Sequence, residues 1–171
     1  VLVLAAETLV AARLADALEL GGTPVLTITE RRATTLKARA YDGDLARIAL
    51  PDEASLAWVQ AIADPKDDLS APMKGPLDSL RQGDATSHRL AIWLTKSARL
   101  LPAVLVSQVK DAKALAEAEH LTLLNAEDVA GALEARGLLE RHAAPREGMF
   151  SITPLGRYYA IENAQKETRD G

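Results

Sequence analysis

His88 is the residue of this sequence with the most chemistry around it: Asp84, Thr86 and Arg89 lie close by, at what reads as the start of a helix. Backbone N–H groups at a helix start can hold an anion, and an imidazole there can move a proton near neutral pH. Asp84 and His88 are therefore the candidate catalytic residues, although a histidine in this position is more often a capping or solvated group. Asp42 with Asp44, and Asp67 with Asp68, are carboxylate pairs of the type that bind Mg²⁺ or divide acid and base work. In turns such aspartates mostly cap the local backbone. His120 and His142 have no metal-ligand spacing and the chain holds no cysteine, so no metal site and no cofactor site is expected within it. Gly21-Gly22 follows a helical stretch rather than a strand, the wrong context for a dinucleotide-binding turn.

The element that must position these groups is TSHRLAIWLTKSARLLPAVLVSQV, residues 86–109. Its spacing predicts an amphipathic helix with Leu90, Trp93, Leu94, Ser97 and Leu101 on one face. Pro102 should stop that helix, because it lacks the N–H a continuing helix needs and drives Leu101 out of the α region. Ala103 to Val106 has no polar break, as in a strand covered on both faces of a parallel sheet. On this reading Trp93 packs against the sheet, so truncating it costs the 3–5 kcal/mol of a large core cavity, about what a Trp→Ala change in a core removes. Arg89 faces solvent, and its loss should cost no more than about 0.5 kcal/mol.

Around that unit the pattern predicts a strand over Val1–Ala5, a helix over Glu7–Leu20 stopped by Gly21-Gly22, and a strand over Pro24–Thr29. Thr29 is the expected N-cap of a helix running to about Ala40. A Tyr41–Asp44 turn, a short strand LARIALP and a helix from Pro51 to Ile62 follow. Residues 64–84 carry Pro65, Pro72, Pro76, Gly75 and Gly83 and read as a long surface loop with at most one helical turn near Leu77–Leu80. Beyond residue 110 come a helix over Asp111–Glu119, a strand over Leu121–Leu124, a helix from Asn125 to Gly137 and a strand over Leu138–Arg141. The tail, FSITPLGRYYAIEN, reads as two short strands about a Pro154-Leu155-Gly156 turn. Alternation of strands and helices suggests βαβ units and places the chain in the α/β class.

At 171 residues and 48% hydrophobic the chain can bury one substantial core. A net charge of −4 argues against a phosphate-neutralising surface, so no nucleic-acid partner is expected. Apolar runs fall well short of the roughly 20 residues of a membrane span. Absence of cysteine fits a reducing cytoplasm. The chain opens on VLVLAA, already inside a strand pattern, and its true N-terminus is expected to lie upstream.

The order VLVLAAETL, GGTPVLTITERRATTL, HRLAIWLTKSARLLPAVLVSQV and AKALAEAEHLTLLNAEDVAGAL resembles the 3,4-dihydroxy-2-butanone 4-phosphate synthase family over about residues 1–135. That family has a strand ending in Ala-Ala-Glu, a strand with a Leu-Thr-x-Glu-Arg-Ala-like sequence, and a helix entering a Leu-x-Pro-Ala turn. It closes with a His-Gly-Leu-like turn before an acidic-start helix, matched by His120-Leu121-Thr122 and Asn125–Leu133. Its acidic metal-binding loop would lie before Val1, and Asp84 stands where its Gly-His-Thr segment has the histidine. The resemblance thus implies an accessory domain without catalysis. SITPLGRYYAIENAQKETRDG is similar to the opening of a GTP cyclohydrolase II domain, with Pro154, Gly156, Arg157 and Tyr158 matching in kind. Together the two resemblances imply residues 1–142 as a synthase-like three-layer domain with a central mixed sheet, and 143–171 as a linker and the opening strands of a cyclohydrolase domain. They further imply GTP and a Cys-ligated zinc in a catalytic domain outside this chain, riboflavin biosynthesis as the pathway, and a homodimer in the cytoplasm. The competing resemblance is to a winged-helix DNA-binding domain over residues 110–165, in which AEDVAGALEARGLLER would be the last helix and REGMFSITPLGRYYA the wing. Glu127, Asp128 and Glu134 against a single Arg136 give that helix the wrong charge for the major groove.

Overall fold

A four-stranded sheet holds the first part of the chain together, with β1 (Leu2–Ala5), β2 (Val25–Thr29), β3 (Leu45–Ala49) and β4 (Ala103–Ser107) in the order β1-β4-β2-β3. These strands come from a computed structural model that describes residues 1–20, 22–69, 74–135, 139–141, 149–152 and 161–162. By its contacts the chain divides into two compact units, Val1–Leu123 and Leu124–Gly171. The linker expected near residue 143, the Pro154-Leu155-Gly156 turn and His142 lie outside the described residues.

The α/β class stands, with strands and helices mixed along the chain. Every described strand pair is antiparallel, however, so the sheet is not mixed and β4 has no parallel neighbour. The reason lies in the insertion of β4. β1 and β2 run in the same direction, as a βαβ connection through α1 (Ala11–Glu19) requires, but β4 enters between them and runs the other way. β3 and β4 are likewise co-directional and are separated by β2. All five residues of β4 are buried because the strand is central and covered on both faces, whatever the direction of its neighbours.

The two sheet faces differ in chemistry. One carries Leu26, Ile28, Ala46, Ile48, Ala103 and Leu105, which pack with Leu14 and Ala17 of α1, Ala33 of α2 (Glu30–Thr35), and Val59 and Ile62 of α3 (Leu56–Ala63). The other carries Val104 and Val106, packed with Ala91 and Ile92 of α4 (Thr86–Ser97), and beside them the polar Thr27 and Arg47. α4 buries His88, Leu90, Ala91, Ile92 and Thr95. Trp93, Leu94, Ser97 and Leu101 are only half-buried. The stripe 88, 91, 92, 95 has the same helical spacing as the expected one. It escaped an apolar-pattern reading because two of its members are polar, and it is chosen because the sheet beneath offers a hydroxyl and a guanidinium. Trp93 instead packs its ring under the Lys96 ammonium, 4.8 Å from the ring centroid, so the cost of a core cavity does not apply to it.

Helix ends also differ from expectation. α4 closes before Pro102, through Arg99 at φ 60°, with Arg99 N–H bonded to Lys96 O at 3.1 Å and Leu100 N–H to Thr95 O at 2.9 Å. α2 stops at Thr35 rather than near Ala40 by the same Schellman arrangement, with Lys37 at φ 57°. α5 (Ala112–Ala118) ends on His120 at φ 51°. Left-handed C′ positions favour glycine, and filling them with Lys, Arg and His hid these stops from the sequence. Glu7–Leu20 is not one helix. Ala6–Thr8 makes a 3₁₀ turn and the chain is extended at Leu9 and Val10 before α1 begins. Residues 121–124 form no strand. The 64–84 segment has a 3₁₀ turn at Pro65–Asp67, and Asp78–Leu80 is extended along the edge of β3 rather than helical.

In the second unit α6 (Ala126–Ala135) starts with the Asn125 side chain accepting the Glu127 N–H at 3.0 Å. β5 (Leu139–Arg141), β6 (Met149–Ile152) and β7 (Ile161–Glu162) form a second antiparallel sheet in that order. No helix among the described residues is long and apolar enough to cross a membrane.

Candidate functional site

His88 projects from the first turn of α4 onto the polar part of the sheet, where its Nδ1 shares a 2.6 Å hydrogen bond with the Thr27 hydroxyl. Thr27 is fully buried and His88 is 5% exposed. Thr27 pairs across the β2–β3 ladder with Arg47, whose side chain is 4% exposed. The Arg47 guanidinium grips Asp42 with two bonds, Nε–Oδ2 at 2.8 Å and Nη2–Oδ1 at 3.1 Å. Arg89, next to His88 in α4, holds Asp44 in the same way at 3.0 and 2.9 Å and also donates to Asp42 O at 3.2 Å. Thus the Tyr41–Asp44 turn is fastened by two guanidiniums, one from the sheet and one from the helix. Arg89, expected in solvent, is half-buried against its carboxylate. Gly83, at φ 93°, runs close over Arg47: a Cβ there would stand 3.3 Å from Nη1.

These contacts decide which chemistry is open. Asp42 and Asp44 each use both oxygens on a guanidinium, so neither is available to hold Mg²⁺ or take a proton from a substrate. Burial, with the Arg47 charge adding to it, pushes the His88 imidazole down to about 4, so it is neutral at pH 7. What remains is hydrogen bonding by His88 Nε2 and Arg47 Nη1, neither of which has a hydrogen-bond partner among the described residues. Asp84 lies outside this cluster. It is exposed and accepts the Thr86 hydroxyl at 2.8 Å, a local bond at the start of α4.

Of the second carboxylate pair, the Asp67 side chain lies outside the described residues. Asp68 is enclosed by Arg32 and Lys74, and the Arg32 hydrogen bond above all, with Lys74 beside it, holds its carboxyl well below the usual carboxylate range. His120 serves as the C′ residue of α5. Among the described residues no group of three or more His, Cys, Asp or Glu could hold a metal ion. Sequence reasoning missed Thr27, Arg32 and Arg47. The available signal was an arginine inside the apolar strand LARIA, which cannot be buried there without a carboxylate such as those of the Asp-Gly-Asp turn just before it.

The buried neutral imidazole has a measurable consequence. An unfolded histidine titrates near 6.5 and the folded one at about 4, so the unfolded chain takes up its proton first as pH falls. Stability from this group is complete above pH 6.5 and is lost as pH falls toward 4, with about 2 kcal/mol gone by pH 5. Urea midpoints at pH 7.5, 6 and 5 should fall accordingly, and His88→Gln should flatten the trend. An unchanged slope in the variant would place the proton uptake elsewhere.

No family profile matches the chain, and no solved structure matches it. A GTP cyclohydrolase-2 from Azospirillum brasilense is 33% identical to it over 114 residues, which is 64% of this chain and 30% of that protein. The chain spans under a third of the length of that relative and is, over the matched stretch, distantly related to a GTP cyclohydrolase-2.

Proposed function

We propose that this chain is a non-catalytic accessory part of a GTP cyclohydrolase II-type protein of riboflavin biosynthesis, with its first unit a dihydroxybutanone phosphate synthase-like domain. The observation that carries the reading is the 33% identity to part of a longer GTP cyclohydrolase-2. Two features of the chain support it. There is no cysteine to ligate a zinc, and the His88 cluster on the sheet of the first unit has its carboxylates committed to guanidiniums and its imidazole neutral. On this reading GTP binding, opening of the imidazole ring and release of formate and diphosphate belong to a zinc domain outside these residues, and the protein works in the cytoplasm as a homodimer. Purified chain supplied with GTP, Mg²⁺ and Zn²⁺ should release no formate. The same chain substituted for the matching 114-residue segment of the Azospirillum enzyme should leave that enzyme's turnover intact. Zinc-dependent formate release by the chain alone would overturn the proposal, as would loss of turnover in a folded chimera.

One observation favours a second reading, a winged-helix DNA-binding unit. α6 is followed in chain order by the strands of the antiparallel β5-β6-β7 sheet, the order of a recognition helix and its wing. Glu127 and Asp128 in the first turn of α6 oppose phosphate approach. A salt-resistant, sequence-dependent mobility shift would favour this reading over the first.

A further inference from the structure

The sheet of the first unit carries two separate cores of unequal size. On one face β2, β3 and β4 share a cluster with α1, α2 and α3 that includes Leu26, Ile28, Ile48, Leu105, Val59 and Ile62. On the other, Ala91 and Ile92 of α4 meet Val104 and Val106, with Val3 packed alongside. The ladders that join β1, β4, β2 and β3 are backbone bonds between strands and draw nothing from α4. Burial stabilises roughly in proportion to area, so the helix over the smaller core is the layer that separates at the lowest free energy.

The first turn of α4 is its weak end. Ala85 stands at the N-cap and offers no side-chain acceptor to the first-turn N–H groups. The contact that fastens this turn to the sheet is conditional on charge: His88, 5% exposed, shares the Nδ1 bond with Thr27 of β2. Arg47 of β3, with Asp42 from the turn before that strand, lies on the sheet side of the ring, and Arg89 and Asp84 flank it on the helix side. β4 contributes only Val104 and Val106 to this face. A protonated ring here meets no carboxylate with a spare oxygen among these groups, because Asp42 and Asp44 each have both oxygens on a guanidinium and the exposed Asp84 accepts the Thr86 hydroxyl. The neighbouring guanidiniums of Arg47 and Arg89 add repulsion.

We infer that α4 is a proton-gated layer: when His88 is charged the helix lifts from the sheet and uncovers Thr27, Arg47, Val104 and Val106, while the opposite core and the strand ladders stay closed. Arg89, bonded to Asp44 and to Asp42 O, tethers the lifted helix and makes the motion reversible. Proton uptake drives it, since the ring titrates at about 4 while packed on the sheet and near 6.5 once it is in water.

The test is amide hydrogen exchange of the full chain at pH 7 and pH 5, read by NMR and divided at each pH by the exchange rate of unstructured peptide. At pH 7 the Ile92 and Leu94 amides of α4 should be at least about tenfold less protected than those of Leu26 and Ile28 in β2, as a separable layer requires. Between pH 7 and pH 5 the α4 protection should fall about twentyfold, the factor set by titration near 6.5 in the open form and about 4 in the closed one. His88→Gln should abolish that fall and His120→Gln should leave it intact. Equal protection of α4 and β2 would overturn the inference, because the helix would then open only with the whole unit. Constant α4 protection across the two pH values would overturn it as well, since the ring would be charging without any lift. If His88→Gln does not fold, the wild-type chain still decides: the His88 ring signals and the α4 amide shifts must titrate with one midpoint, and separate midpoints would reject the coupling.

Discussion

Arg32→Ala should lower the stability of this chain by about 3 kcal/mol, the low end of the range found when one partner of a buried ion pair is removed, because the pair is part-buried and Asp68 keeps Lys74. The guanidinium donates to Ile62 O at 2.7 Å, to Ala61 O and Asp64 O at 3.1 Å each, and to both oxygens of Asp68. Ala61 and Ile62 lie in the last turn of α3, where carbonyls have no partner within the helix and the dipole favours a cation. Lys74 joins the same group, donating to Ala61 O at 2.7 Å and to Asp68. Removing Arg32 therefore leaves Asp68 to Lys74 alone, takes most of the cap from α3 and removes the polar link between α2 and α3. Arg31→Ala, one position earlier and exposed, should shift the urea midpoint by no more than the equivalent of about 0.5 kcal/mol. If the two variants unfold at the same urea concentration, the cap contributes nothing and the α2–α3 contact is held by apolar packing alone. Acid should act on this cluster separately from His88: the Asp68 carboxyl is depressed, so its contribution persists above the unfolded value of 3.8 and is lost only as pH falls below it.

Arg89→Ala is expected to be as damaging, about 3 kcal/mol, because it leaves Asp44 without its bidentate partner at a side-chain exposure of 8%. The lost bonds also include the one to Asp42 O, which ties α4 to the turn that Arg47 holds from the sheet. Arg89→Lys should recover only part of the loss, since an ammonium cannot reproduce two parallel N–H bonds to one carboxylate. Chemical denaturation of Arg89→Ala, Asp44→Ala and the double variant gives the coupling between them directly. A coupling near zero would show that the pair is solvated. The expectation from sequence was the reverse, a solvent-facing arginine with an effect within about 0.5 kcal/mol. The difference follows from the rotation of α4, which turns residues 88, 91, 92 and 95 inward and carries Arg89 to the margin of the sheet.

Local order was legible in the sequence where a single residue type carries the physics. β-Branched apolar runs marked β2 and β4, Thr29 marked the start of α2 with its hydroxyl accepting the Arg32 N–H at 3.3 Å, and Asp111 and Asn125 marked the starts of α5 and α6. The α/β class followed from alternation of those elements, and the carboxylates of the Asp42–Asp44 turn stood out by type. Tertiary structure alone decided the rest, because each remaining feature depends on a partner distant in the chain. Which strands are neighbours depends on β4 entering between β1 and β2. Which stripe of α4 is buried depends on Thr27 and Arg47 presenting polar atoms beneath it. Whether Asp42, Asp44 and Asp68 are reactive or structural depends on Arg47, Arg89 and Arg32, since a paired carboxylate and a free one are the same letter. The neutrality of His88 likewise comes from burial against the sheet, and its sequence neighbours Asp84 and Thr86 bond to each other instead. Sequence specifies charge by residue type, but desolvation and pairing, which determine what a charge can do, exist only once distant segments have closed around it.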